Sequence, residues 1–169
     1  MRHLLAVLVL PVTAAVLVPV WIAHRSGVTA TWPVGAAGRL AAAGGSVIGA
    51  VGLVLFASCL ARFGREGHGT LAPWDPPAEL VVSGAYRYVR NPMISGVLLV
   101  LVAEAMVLRS LPHLVWALAF AFLNAVYIPA VEEPGLEARF GDPYRRYRRH
   151  VPRFVPRLRP WHPARPDPG

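Results

Sequence analysis

Residues 91–133 read NPMISGVLLVLVAEAMVLRSLPHLVWALAFAFLNAVYIPAVEE. Between positions 110 and 131 there is no Asp, Glu, Lys or Arg, and between 91 and 108 only Glu104 interrupts. Each run approaches the ~20 apolar residues that cross a bilayer as a helix. Neither shows the one-sided stripe of a surface helix. The connection Arg109-Ser110-Leu111-Pro112-His113 is short enough to force a tight antiparallel hairpin. That hairpin sets the Asn91 end of one helix beside the Glu132-Glu133 end of the other.

Outward from the hairpin, residues 4–23 and 40–61 are also free of charge. Four transmembrane helices are expected, the first kinked by Pro11 and Pro19. A cleaved leader is disfavoured, because Trp21 would occupy the minus-three position of a cut after Ala23. The composition agrees with a membrane protein. Of 169 residues, 55% are hydrophobic and 15% charged, against ~25% charged in a soluble domain. The length suits one domain. The single cysteine, Cys59, excludes an internal disulfide framework.

Every basic residue other than histidine is arginine. With four spans, Arg25, Arg39 and Arg109 fall on one side, and Arg2, the loop 62–90 and the tail carry all the rest. The positive-inside rule then puts both termini and the long loop in the cytoplasm, in the cell membrane. The net charge of +8 is read as attraction to anionic headgroups, and no nucleic acid is expected as partner.

The loop 62–90 is punctuated by Gly64, Gly67, Gly69, Pro73, Pro76, Pro77 and Gly84. A loop this long without secondary structure points to function, and Trp74, Tyr86 and Tyr88 argue against disorder. In the tail, Leu136, Phe140, Tyr144, Tyr147 and Val151 recur on one helical face, with arginines opposite. This predicts an amphipathic helix in the headgroup plane, with Gly141 and Pro143 able to split it. Tyr144 and Tyr147 are expected mainly to pack there. Residues 157–169 are expected to be a flexible Pro/Arg-rich tail.

Two clusters concentrate polar chemistry. One is Tyr86-Arg87-Tyr88-Val89-Arg90-Asn91-Pro92, and the other is Glu132-Glu133. Adjacent carboxylates at a membrane boundary repel unless a cation or donor set is present. Arg87 and Arg90 could serve as their ion-pair partners, or both clusters could grip a ligand carrying both signs of charge. Pro92 starts a helix whose first-turn N–H groups can face a ligand. Glu104 is expected to pair with Arg109 or His113. One cysteine and scattered histidines supply no metal-ligand spacing.

The runs GTLAPWDPPAELVVSGAYRYVRNPMISG (69–96) and VEEPGLEARFGDPYRRYRRHVPRFVP (131–156) strongly resemble the isoprenylcysteine carboxyl methyltransferase-like family, relatives of the phospholipid N-methyltransferases. The resemblance implies an all-α integral-membrane fold with a single methyltransferase domain over 1–156 and a catalytic core over about 40–156. It also implies S-adenosylmethionine as methyl donor. Carried over residue by residue, the family's motifs fall on Arg90, Asn91, Pro92 and Gly96, and on Glu132 and Glu133. Of a Gly-x-Gly serving the cofactor in the phospholipid enzymes, only Gly52 matches, since position 50 is alanine. The motif tyrosine is Ile94 here.

The expected cofactor-binding set is therefore Gly52, Arg87, Arg90, Asn91, Pro92, Gly96, Glu132 and Glu133. Tyr86, Tyr88, Tyr144 and Tyr147 are weaker candidates for substrate contact. No residue is assigned as catalytic. The expected acceptor is amphiphilic, with its head at the cytoplasmic face and its tail in lipid. Phospholipid N-methylation is the nearest alternative reading, and a non-catalytic membrane scaffold is one of another class.

Overall fold

The structure, a computed structural model, describes residues 11–28, 35–66 and 80–162. Part of the first expected span, most of the long loop, and the last residues of the expected tail lie outside them. Among the described residues the chain is helical, with no strand. A π-turn, Thr13–Leu17, leads into α1 (Val18–Ser26), followed by α2 (Gly35–Glu66). A 3-10 turn, Gly84–Arg87, precedes α3 (Pro92–Leu108) and α4 (Leu111–Tyr127). A second π-turn, Ile128–Glu132, joins α4 to α5 (Glu133–Phe140), and α6 (Asp142–His150) ends the series.

Two stretches are long and apolar enough to cross a membrane, Gly35–Arg62 and Leu111–Phe140. The other two expected spans are shorter among the described residues. Helix α3 has 17 residues and α1 has 9. The predicted hairpin is present. Arg109 closes α3 in the left-handed region (φ 50°), its N–H donating to the carbonyls of Ala105 and Met106. Ser110 then starts α4 in extended conformation.

Both π-turns end just before a proline, Pro19 and Pro134. Proline has no N–H and its ring crowds the preceding turn, so the ladder slips to the wider register. Val18 N–H bonds Thr13 O, and Glu133 N–H bonds Ile128 O. The first slip frees Ala14 O, and α4 side chains reach it and the nearby Pro19 carbonyl. Trp116 Nε1 donates to Ala14 O at 2.9 Å, and His113 Nε2 lies 3.2 Å from Pro19 O. His113 Nδ1 is 2.7 Å from Ser110 Oγ. The His113 ring is thus occupied in joining α1 to the hairpin. Glu104 pairs with neither it nor Arg109, contrary to expectation, and its Oε2 is buried without a partner among the described residues.

Helix α2 packs along α3 through a glycine face. A Cβ on Gly45 would meet Val107 Cγ2 at 2.8 Å, and one on Gly49 would meet Ala103 Cβ at 3.1 Å. One on Gly52 would meet Gly96 O at 2.7 Å, and one on Gly96 would meet Gly52 O at 2.9 Å. The sequence leads one to expect these two glycines close against a cofactor. What their missing side chains admit here is the opposing helix, as small residues do at membrane-helix crossings. Gly52→Ala is expected to force α2 and α3 apart at a cost of about 1–3 kcal/mol. A fall in the thermal midpoint of the detergent-solubilised protein checks this, and an unchanged midpoint would contradict it.

The tail helix divides at Gly141 (φ 58°), giving α5 and α6. Tyr144 and Tyr147 form the buried face of α6, and Val151, just past its end, continues that face. Leu80, Val82, Leu136, Phe140 and Trp161 pack on it. The apolar stripe expected to rest on lipid is therefore covered by protein. The end of the long loop and the segment after α6 supply the cover.

Candidate functional site

The hairpin and the tail converge on Glu133. Its carboxylate is buried and receives three guanidinium N–H groups. Arg90 Nη1 donates to Oε1 at 2.8 Å, Arg153 Nε to Oε1 at 2.6 Å, and Arg153 Nη2 to Oε2 at 2.9 Å. The forked contact from Arg153 uses the planar geometry that lysine lacks. Side-chain exposure is 10% for Arg90 and 5% for Glu133, so the pair is shielded from water and a broken contact there is costly.

Local sequence positions each member. Arg90 stands two residues before Pro92, which is buried at the first turn of α3. Its N–H donates to Pro152 O at 2.9 Å. Asn91 precedes the helix in a non-helical conformation and makes no side-chain cap. Its Nδ2 instead donates to Arg153 O at 3.2 Å, which fixes the backbone of the residue gripping Glu133. The π-turn Ile128–Glu132 holds one more residue per turn than an α-helix. It rotates Glu133 and the rest of α5 by about 100° relative to an uninterrupted helix, so Pro134 indirectly aims the acidic pair.

Glu132 behaves differently from its neighbour. It is half-buried and finds no hydrogen-bond partner among the described residues. Its negative charge reaches the phenols of Tyr86 and Tyr144, which places it beside the same cluster. On the Arg90 side, Nε is buried without a hydrogen-bond partner. A free carboxylate and an unmet guanidinium N–H therefore stand at one end of the helices, within the cluster built around Glu133.

The other expected residues sort into four kinds. Arg87 does not reach the acidic pair; its Nε donates to Trp161 O at 2.9 Å, and its own carbonyl accepts from Trp161 N–H at 2.9 Å. Tyr86, Tyr144 and Tyr147 are buried packing residues, with Tyr147 Oη donating to Tyr86 O at 2.7 Å. Tyr88 is the exposed member of the set. Gly52 and Gly96 sit in the α2–α3 crossing. Arg157 and Trp161 lie in the segment expected to be a flexible tail. Their N–H groups donate to Tyr88 O at 3.0 Å and Arg87 O at 2.9 Å.

Arg153 does not stand out in the sequence, although it makes the closest contact to Glu133. Its signal is faint: one arginine among many, lying 20 residues beyond its partner in an irregular segment. Burial pushes the Tyr86 phenol well up, and the nearby acidic groups, the Glu132 carboxylate among them, act in the same direction. Burial likewise raises Tyr144, helped by Glu133, and raises Tyr147. All three phenols stay protonated near neutral pH and are unsuited to act as bases. His150 is exposed, its ring stacked on Trp161 with Nδ1 2.8 Å from Arg146 O. Among the described residues no group of His, Cys, Asp and Glu is disposed to hold a metal ion.

Comparison with known proteins bears on this geometry. A family model described as phospholipid methyltransferase matches residues 40–143. Methanethiol S-methyltransferase 2 of Bradyrhizobium diazoefficiens is 42% identical over 76 residues. That alignment covers 43% of this chain and 27% of the relative, so the chain spans about a quarter of the relative's length. No solved structure matches. Arg153 lies beyond the range the family model covers.

Proposed function

We propose that this chain, which belongs to the phospholipid methyltransferase family, transfers a methyl group from S-adenosylmethionine to an amphiphilic acceptor at the end of the bundle where Arg90 holds Glu133 and Glu132 stands next to it in the chain. The observation that carries this reading is the pair of unmet groups there, the Glu132 carboxylate and Arg90 Nε. Bound S-adenosylmethionine supplies an electrophilic methyl on a sulfonium whose leaving group is a neutral thioether. It also carries an ammonium, a carboxylate and ribose hydroxyls, and the two unmet protein groups suit these. Glu132 takes the ammonium or a hydroxyl. Arg90 Nε takes the carboxylate, while its Nη1 stays on Glu133.

Glu133 and Arg153 hold Arg90 in place rather than meeting the ligand. Asn91 and Pro92 fix the same corner through Arg153 O and the α3 start. Such positioning is the protein's main contribution to an in-line displacement, where near-attack geometry is worth up to about 7–11 kcal/mol. Apart from Glu132, which this reading commits to the donor, no described residue there is suited to deprotonate an amine, since the three tyrosines are held protonated. This favours an acceptor that needs little or no help from a base: a carboxylate, anionic at neutral pH, or a thiol, whose small thiolate fraction is strongly nucleophilic. The thiol-directed name of the Bradyrhizobium relative is consistent with the second of these. The phospholipid description of the matching family model favours another acceptor, the amine headgroup.

In this reading four helices span the cell membrane with both termini cytoplasmic, and the acceptor's apolar part enters from lipid. Purified protein titrated with S-adenosylmethionine in a calorimeter is expected to bind it at micromolar concentration with one site per chain. No binding would sink the enzyme reading in favour of a scaffold. Lipid and volatile extracts of cells with and without the gene then separate the acceptors. Methylated headgroups lost with the gene would replace the thiolate-or-carboxylate reading by N-methylation.

A further inference from the structure

The apolar face of α6 is covered by protein, yet a second amphiphilic element comes directly after it. Phe154, Val155 and Leu158 are 40%, 75% and 98% exposed. Their backbone is fixed on both sides. Arg90 N–H holds Pro152 O, the Arg153 side chain grips Glu133, and Arg157 N–H holds Tyr88 O. Arg157 Nη1 also donates to His150 O at 2.9 Å, and Trp161 N–H to Arg87 O. A frayed end exposes leucine because nothing orders it. Here the chain orders the segment and still turns three apolar side chains outward, at a hydration cost that a water-facing loop has no reason to carry.

Its level in the molecule is also fixed. Glu133 directly follows the π-turn that ends the apolar run of α4, and Arg153 is clamped to it. Phe154 and Val155 therefore emerge where the apolar run gives out. Exposed arginines stand before and after: Arg149 on α6, beside Arg148, which also holds Glu137 at 2.9 Å, and Arg159 next to Leu158. Apolar tips between arginines, at the height where a span ends, match the boundary between acyl chains and anionic phosphates.

We propose that Phe154, Val155 and Leu158 insert into the headgroup–acyl boundary of the leaflet beside the site, with the flanking arginines on anionic lipid phosphates. The proposal depends on the chain spanning a membrane and not on methyl transfer. The anchor keeps the Arg153 clamp, and with it Glu133 and Arg90, at constant depth relative to a lipid-borne acceptor.

The test uses the full chain with Leu158→Cys, labelled with the polarity-sensitive dye NBD. It is reconstituted in nanodiscs of phosphatidylcholine mixed with phosphatidylglycerol. The native chain, whose Cys59 is fully buried, is the labelling control. Insertion is expected to cut iodide quenching several-fold relative to the free dye. Lipids spin-labelled near the headgroup should quench more than those labelled deep in the acyl chain. A label open to iodide and untouched by either lipid quencher overturns the proposal. So does a label protected from both, which would mean that a second copy or another protein covers the segment.

Discussion

Glu133→Ala is expected to destabilise the protein by about 3–5 kcal/mol, the usual consequence of removing one partner from a buried ion pair. Three guanidinium N–H contacts end on this one carboxylate. Removing it leaves Arg90, with a side chain only 10% exposed, as an uncompensated buried charge whose Nε is already without a partner. Arg153 would lose both of its contacts, and the segment it fixes would loosen. Against a total stability of about 5–15 kcal/mol for an ordinary domain, such a loss is read as a large drop in thermal midpoint or as aggregation in detergent. The double variant Arg90→Met with Glu133→Leu removes both charges, and it is expected to recover much of the midpoint while failing to bind the methyl donor. An unchanged midpoint for Glu133→Ala would show that the triad contributes nothing to the fold.

Glu132→Gln is expected to do the opposite. No described residue hydrogen-bonds to Glu132, so stability should stay within about 0.5 kcal/mol of the native protein. Affinity for S-adenosylmethionine should fall about 10- to 100-fold, because a charge-assisted hydrogen bond contributes ~1.5–3 kcal/mol. Calorimetric titration of both proteins decides it. Equal affinity would remove Glu132 from the site. A loss of stability like that of Glu133→Ala would mean that the residue belongs to the structural cluster instead.

Much of this arrangement is legible in the residues. The short Arg109–His113 connection dictates a hairpin, and the hairpin dictates that Arg90 and Glu133 meet, which they do at 2.8 Å. The apolar run 40–61 marks α2, and the structure extends it to Gly35–Glu66. Helical ends outrun apolar runs because the backbone continues until glycine, proline or a turn stops it. The periodic tail face is likewise visible, and Gly141 splits it as its sequence context suggests. What that face packs against is not visible. An amphipathic stripe records only that something apolar covers it, and lipid and Leu80, Val82 and Trp161 satisfy that equally.

The glycines show the same limit. Gly52 and Gly96 announce a close approach, and a close approach to a ligand or to a helix calls for the same missing Cβ. Arg153 shows it more sharply. Its contact with Glu133 depends on where an irregular segment lands after two helices and a left-handed glycine, and no local pattern encodes that.

By itself the sequence determined where apolar helices run, where they turn back, and that acidic and basic groups gather at one end. These features depend on backbone hydrogen bonding and hydrophobic length, which are local. Only the tertiary structure separated Glu132 from Glu133. The two are chemically identical and adjacent, and they differ only in direction. A π-turn before Pro134 sets that direction, committing one carboxylate to two arginines and leaving the other without a partner.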